Sequence, residues 1–266
     1  MDEFNFTLNI FYTIAFNTER HNDFDHVWAV IRPTDQKWSF SNHLSEIIDI
    51  NSKRRTSSLD VKWFDLTAAL SMISNVINPD LIVPHMICSQ GSTTYKAIFE
   101  SMKIPFIGSS AEKTILAINK ATTKAVLMEA GIPVPPGQSL TKGSRSSLRL
   151  DSVPEMPCVV KPVDSENSFG VTKVNSLDEM NQALATAYRF SNEVVIDKFI
   201  QGREVRCSVF EKTLSNGQIE KVVLVPQEFI VDQSRVRSTE DKIQMDQSGL
   251  PLGKLDITRL GNEVKI

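Results

Sequence analysis

The chain has 266 residues, a formal net charge of -3, 41% apolar and 23% charged residues, enough for one large domain or two smaller ones around a substantial core. Slight acidity argues against nonspecific nucleic-acid binding, which needs a basic surface. Cys88, Cys158 and Cys207 form no close pair, and an odd count suits a reducing compartment better than a disulfide framework.

The start, MDEFNFTLNIFYTIAF, opens on two acids and is interrupted by polar residues. It therefore lacks the basic start and apolar block of a signal peptide, and no later apolar run nears the roughly 20 residues that span a membrane. A cytoplasmic location, with neither membrane nor nucleic acid as partner, is the expectation. Leu8 to Phe16 and His26 to Ile31 read as strands, being rich in β-branched and aromatic residues. Lys53-Arg54-Arg55 reads as a solvated loop or a small basic patch.

Val61 to Leu66 reads as a strand and Thr67 to Asn78 as a helix, with Leu70, Ile73 and Val76 at helical spacing and Pro79 as its stop. Asp80 to His85 is a buried-strand pattern, and Gly91 to Lys103 a helix carrying Tyr95, Ile98, Phe99 and Met102 on one side. Such alternation predicts a parallel sheet with helices on its faces and ligands beyond the carboxyl ends of its strands. His85 falls at such an end, where it either contacts a substrate or closes the strand.

Ile104 to Ser110 is a short strand and turn, followed by a helical region from Ala111 to Ala130. Gly131 is a C-terminal cap and Pro133 a stop beyond it. Val134 to Gly137 is an extended connector, and Lys142 to Asp151 a polar loop.

Pro157 to Val171 is the stretch richest in chemical meaning. An apolar strand delivers Lys161 to a proline stop and a small, polar loop ending in Gly170. One ammonium facing the backbone N–H groups of a loop is a way to hold a polyphosphate, although a strand that merely turns at Pro162 reads the same. Beyond it, Ser176 to Glu179 has the spacing of a capping box, opening a helix whose Leu177, Met180, Leu184 and Ala187 make one apolar face. Glu193 to Ile200, Glu204 to Phe210 and Lys221 to Phe229 read as strands, with Ser215-Asn216-Gly217 as a hairpin turn. This half is expected to be an antiparallel α+β module.

A triphosphate carries more charge than Lys161 alone can match; Lys120, Lys198 and Lys242 are further candidates, each equally readable as a solvated lysine. In order and context, six runs resemble the ATP-grasp enzymes, and among them the D-alanine:D-alanine ligase group. They are Ile-Pro-Phe-Ile-Gly-Ser (104 to 109), Asn-Lys-Ala-Thr-Thr-Lys (119 to 124), Ala-Gly-Ile-Pro-Val-Pro (130 to 135), Val-Val-Lys-Pro (159 to 162), Asn-Ser-Phe-Gly-Val (167 to 171) and Val-Ile-Asp-Lys-Phe-Ile-Gln-Gly-Arg-Glu (195 to 204). A finer resemblance, through Val-Pro-His-Met (83 to 86), Gly-Arg-Glu-Val-Arg-Cys (202 to 207) and Arg-Ser-Thr-Glu-Asp-Lys (237 to 242), is to the ligases that attach an amino acid to a mycosporine precursor.

The resemblance implies an ATP-grasp fold of mixed α/β and α+β class: an N-terminal parallel α/β domain over residues 1–112, a small lobe over 113–200 and part of a large lobe over 201–266. It implies an ATP-dependent ligase in which ATP and Mg²⁺ activate a carboxylate as an acyl phosphate that an amine then attacks. The partners so implied are small molecules, an amino acid and a carboxylate, with a homodimer left open.

By position, Lys120 and Lys161 correspond to the lysines on the ATP phosphates, and Asn167 and Ser168 to the loop that closes over them. Asp197, Lys198 and Ile200 fall where the family holds adenine, and Glu204 where it binds the ribose. His85, Arg237 and Lys242 take the catalytic positions, Lys242 on a mobile loop reaching the γ-phosphate. Arg203, Arg206, Arg235 and Arg237 are either carboxylate clamps or surface arginines along a hairpin.

The sequence departs from the family in three places. Asp164 and Glu166 stand in the phosphate loop, where acids repel phosphate unless they face solvent or metal. Met86 to Gly91 replaces a glycine-rich acidic loop, which puts D-alanine in doubt as the substrate. Only 24 residues follow Lys242, and Asp256, Asn262 and Glu263 do not fit the expected magnesium strand. The metal ligands are therefore unassigned, the carboxyl-terminal lobe is expected to be incomplete, and a truncated, noncatalytic ATP-binding homologue is the alternative reading.

Overall fold

The computed structural model describes residues 25–32, 35–43, 46, 62–84, 91–143, 153–229, 232–238 and 258–259. The chain divides into two compact units, Met1–Ile115 and Leu116–Ile266.

In the first unit, β1 (Trp28–Ile31) and β2 (Trp38–Ser41) pair antiparallel, with Trp28 opposite Ser41. The connection closes through Arg32, whose N–H donates to Lys37 O, and Gln36, whose left-handed φ of 57° lets its own N–H return to Arg32 O. Helix α1 (Leu66–Met72) starts where the Asp65 carboxylate accepts the Ala68 N–H at 2.8 Å. It widens into a π-turn over Ile73–Ile77 that Asn78 ends in the left-handed conformation, just before Pro79.

Helix α2 (Gly91–Ser101) places Tyr95 and Phe99 one turn apart, on the same side. Both are buried with Trp38, Ala69 and Ile73, and Phe64, Ile82, Ile104 and Phe106 pack around them. The Tyr95 and Trp38 rings meet edge to face at 5.1 Å, and Tyr95 Oη donates to Gln36 Oε1. The strands expected over Val61 to Leu66 and Asp80 to His85 are reduced, among the described residues, to single bridges: Phe64 with Trp38 and, in parallel, Ile82 with Phe106. Asp65 turns the chain into a helix after the first, and Pro84 and Pro105 lack the N–H groups that would extend the second.

The helical region expected over Ala111 to Ala130 is two helices, α3 (Ala111–Ile118) and α4 (Lys120–Glu129). Asn119 separates them because its extended backbone (φ -80°, ψ 108°) lets its side chain accept the Thr122 N–H and cap α4. At the far end Gly131 takes φ 71°, the left-handed cap expected there.

The core of the second unit is a four-stranded antiparallel sheet in the order β3 (Gly137–Thr141), β6 (Glu193–Lys198), β4 (Cys158–Pro162), β5 (Thr172–Val174). Helix α5 (Leu177–Ala187) covers one face. Alternation along the strands decides which residues it meets: Leu140, Cys158, Val160, Val174, Val194 and Ile196 are buried against Met180, Ala183 and Ala187.

Leu177 is 54% exposed and not part of that face; Ala183 takes the place assigned to it. Ser176 makes no side-chain cap either, and the Glu179 carboxylate reaches one residue further back, accepting the Asn175 N–H at 2.9 Å instead of the Ser176 N–H that a capping box would use. No helix among the described residues is long and apolar enough to cross a membrane.

Beyond β6, the strand expected over Glu204 to Phe210 is two pieces, β7 (Glu204–Arg206) and β8 (Val209–Thr213). The strand expected over Lys221 to Phe229 likewise splits, into β9 (Ile219–Val223) and β10 (Gln227–Phe229), because Pro226 cannot donate to a ladder. β8 and β9 form the expected hairpin, turning at Gly217 with φ 80°. β10 pairs with β7 on one side and β11 (Thr258–Arg259) on the other.

Candidate functional site

The candidate site lies on the face of the four-stranded sheet opposite α5. Val160 and Ile196 face the helix core, so their neighbours Lys161 and Asp197 project to the other side. There Lys161 Nζ lies 2.8 Å from Asp197 Oδ2. Asp197 Oδ1 is taken by Lys124 Nζ at 2.5 Å, from α4. The carboxylate is buried and both lysines are largely shielded, so two positive charges share one negative charge in a poorly solvated place.

Gly137 lies opposite Asp197 in the β3–β6 register. A side chain there would put its Cβ 2.0 Å from Ile196 O and 2.7 Å from Asp197 Oδ1. Only glycine lets the β3 backbone approach β6 this closely beside the carboxylate.

The loop after β4 is fastened to α4 by Lys120, the first residue after the Asn119 cap. Its N–H donates to Val163 O at 2.9 Å, and its Nζ to Ser165 O at 2.5 Å and Val163 O at 3.3 Å. The loop then takes left-handed backbone at Asn167 (φ 51°), Ser168 (φ 63°) and Gly170 (φ 72°). Non-glycine residues in that region are concentrated at functional turns. Ser168 Oγ donates to Arg237 O at 2.7 Å, which brings residues 232–238 onto this loop. Lys173 Nζ adds a bond to Ser234 O and lies 4.1 Å from the Phe199 ring centroid.

The residues expected at the adenine diverge. Lys198 points away from Asp197 to Glu155 Oε2 at 2.9 Å, while its N–H donates to Pro136 O. That ammonium, as the hydrogen-bond donor, holds the Glu155 carboxyl below the usual carboxylate range. Ile200 is exposed. Glu204 accepts from Arg237 Nη1 at 2.8 Å, and the Arg237 guanidinium lies 4.2 Å from the Phe229 ring centroid, with Arg206 at 4.9 Å from the same ring. Arg203 pairs with Glu228 at 3.3 Å.

The structure thus brings Lys161 and Asp197 together and ties Lys120, Ser168, Arg237 and Glu204 to the surrounding loops. His85 and Lys242, together with Asp256, Asn262 and Glu263, lie outside the described residues. Lys124 is the residue that sequence reasoning missed. Its signal was its place one turn after Lys120, which sets both lysines on one side of α4.

These groups suit a nucleotide polyphosphate. The lysine-rich cluster carries surplus positive charge, and Asn167 Nδ2 is a buried donor with no partner among the described residues, a costly state that an incoming acceptor would relieve. Among the described residues no group of three or more His, Cys, Asp or Glu side chains could hold a metal ion.

Comparison with known proteins gives the class first. The structure of the VanG D-Ala:D-Ser ligase from Enterococcus faecalis superposes with a TM-score of 0.68 over 82% of this chain and 63% of that one, at 24% identity. That of D-alanine–D-alanine ligase from Bacillus anthracis complexed with ATP gives a TM-score of 0.51 over 63% of this chain and 53% of that one, at 25% identity. The fold is an ATP-grasp fold.

More particularly, residues 126–248 match the family model described as D-ala D-ala ligase C-terminus. The D-alanine–D-alanine ligase of Methylibium petroleiphilum is 30% identical over 161 residues, 59% of this chain and 50% of that protein. In sequence and fold the chain is D-alanine–D-alanine-ligase-like, and it spans about half the length of that relative.

Proposed function

We propose that the second unit binds ATP and that the protein acts as an ATP-dependent carboxylate–amine ligase of the D-alanine:D-alanine type, joining a small carboxylate and an amino acid. The observation that carries this reading is the Lys124–Asp197–Lys161 cluster beside the left-handed turn at Asn167 and Ser168. Lys161 and Lys120 would contact the phosphates, Asn167 and Ser168 would cover them, and Glu204, oriented by Arg237, would accept the ribose hydroxyls. Backbone groups around Lys198 and Ile200, with Asp197, would meet the adenine. His85 and Lys242 are assigned by resemblance to substrate and γ-phosphate.

ATP with Mg²⁺ supplies the activation of the carboxylate; the protein's part is positioning and charge neutralisation. Lys161 stands at the end of a strand whose neighbours Val160 and Pro162 are buried, so its ammonium starts from a fixed origin. The same shielding strengthens its attraction for a polyanion.

The test is calorimetric titration with ATP and Mg²⁺ of the protein and of Lys161→Ala. Heat from the protein and at least about tenfold weaker binding by the variant is the expected result, since a charge-assisted contact in a shielded site is lost. Equal heats from both, or none from the unaltered protein, would overturn it.

A further inference from the structure

Asp197 is held by two lysines, and the site as read above uses only one of them. Each carboxylate oxygen has its own partner: Oδ1 takes Lys124 at 2.5 Å and Oδ2 takes Lys161 at 2.8 Å. The lysines come from different elements, Lys124 from the middle of α4 and Lys161 from the end of β4. They also differ in exposure. The Lys124 side chain is 16% exposed and that of Lys161 26%, against 7% for Asp197. The outer lysine is therefore the more accessible of the two to an incoming ligand.

This difference matters because a buried carboxylate cannot be left unpaired without a large penalty. If Lys161 were the sole partner of Asp197, moving its ammonium to a phosphate would expose that penalty and oppose ligand binding. A second, permanent cation removes it. On the other side Gly137 brings the backbone of β3 up to Asp197 Oδ1, which leaves no room there for another side chain to supply the charge.

We propose that Lys124 is a positioning residue: it keeps Asp197 neutralised so that Lys161 can transfer its ammonium from Asp197 to the nucleotide phosphates. The assignment rests on the nucleotide reading given above, and adds to it a residue that need not touch the ligand.

The experiment is a double-mutant cycle on ATP affinity, measured by calorimetry for the full chain and for Lys124→Met, Asp197→Asn and the double variant, with circular dichroism to confirm folding. Removing Lys124 alone should lock Lys161 onto Asp197 and weaken ATP about tenfold or more. With Asp197→Asn already present there is no charge to compensate, and the same change should cost less than about threefold. A merely structural lysine, or one bound directly to the nucleotide, would give the same loss in both backgrounds.

Equal losses, or no loss from Lys124→Met, overturn the assignment while leaving the nucleotide reading intact. Failure of the unaltered protein to bind ATP overturns both. If Lys124→Met does not fold, Lys124→Gln, which keeps the stem and a hydrogen-bond donor but not the charge, replaces it in the cycle, with the same outcomes deciding.

Discussion

At the scale of single residues, the loop after β4 depends on backbone conformations that most side chains resist. Gly170 combines φ 72° with close packing: a Cβ there would lie 2.7 Å from Phe190 Cδ2 and 2.8 Å from Pro162 Cγ. Gly170→Ala should cost at least about 1–2 kcal/mol from the left-handed backbone alone, with the clash adding to it. Urea unfolding would measure this, and an unchanged midpoint would contradict the loop geometry. Glu155 offers a second residue-scale test. Its carboxyl is held below the usual range by the Lys198 ammonium, so its contribution to stability is present above the unfolded pKa and is lost as pH falls through the folded one. Lys198→Met should return Glu155 to an ordinary carboxyl titration in NMR; an unaltered titration would contradict the pairing.

At the scale of elements, the two central strands of the four-stranded sheet, β4 and β6, were the most legible part, whereas the short outer strands β3 and β5 carry too few β-branched residues to stand out. Cys158 to Pro162 and Glu193 to Lys198 are rich in valine and isoleucine, and alternation then fixed which residues face α5 and which the site. Lys161 and Asp197 reach the same face for that reason alone. The break at Asn119 was not read from apolar spacing, because Ile115, Leu116, Val126 and Leu127 continue a helical pattern across it. Its sign was Asn119 itself, a residue suited to an N-cap. Leu177 was misplaced because its spacing fits the apolar face, while as the first residue of α5 it stays 54% exposed.

Helix α4 has no fully buried residue among its ten, so its cap carries unusual weight. Asn119→Ala should cost about 1 kcal/mol and, because Lys120 and Lys124 ride on this helix, should also weaken ATP. Thermal melting and calorimetry would check the two effects. Ile196→Ala, in contrast, opens the core beneath the site and should cost about 2–5 kcal/mol.

At the scale of the whole molecule, what could not be read from sequence is the exchange of partners within the site. Pairing between Lys124 and Asp197 joins residues 73 positions apart, and no local pattern announces it. The Arg237 carbonyl and guanidinium join the loop after β4 to Glu204, a link between residues too far apart in sequence for a local pattern to announce. The ligase reading also carries a global consequence: saturating ATP with Mg²⁺ should raise stability by about 2.7 kcal/mol at one hundred times its dissociation constant, visible as a higher melting temperature.

The most direct measurement is a crystal structure of the protein with a non-hydrolysable ATP analogue and Mg²⁺. The triphosphate is predicted to lie against Lys161 and the Asn167–Ser168 turn, with Lys124 still on Asp197. A nucleotide bound elsewhere, or an analogue absent from this face at saturating concentration, would contradict the account.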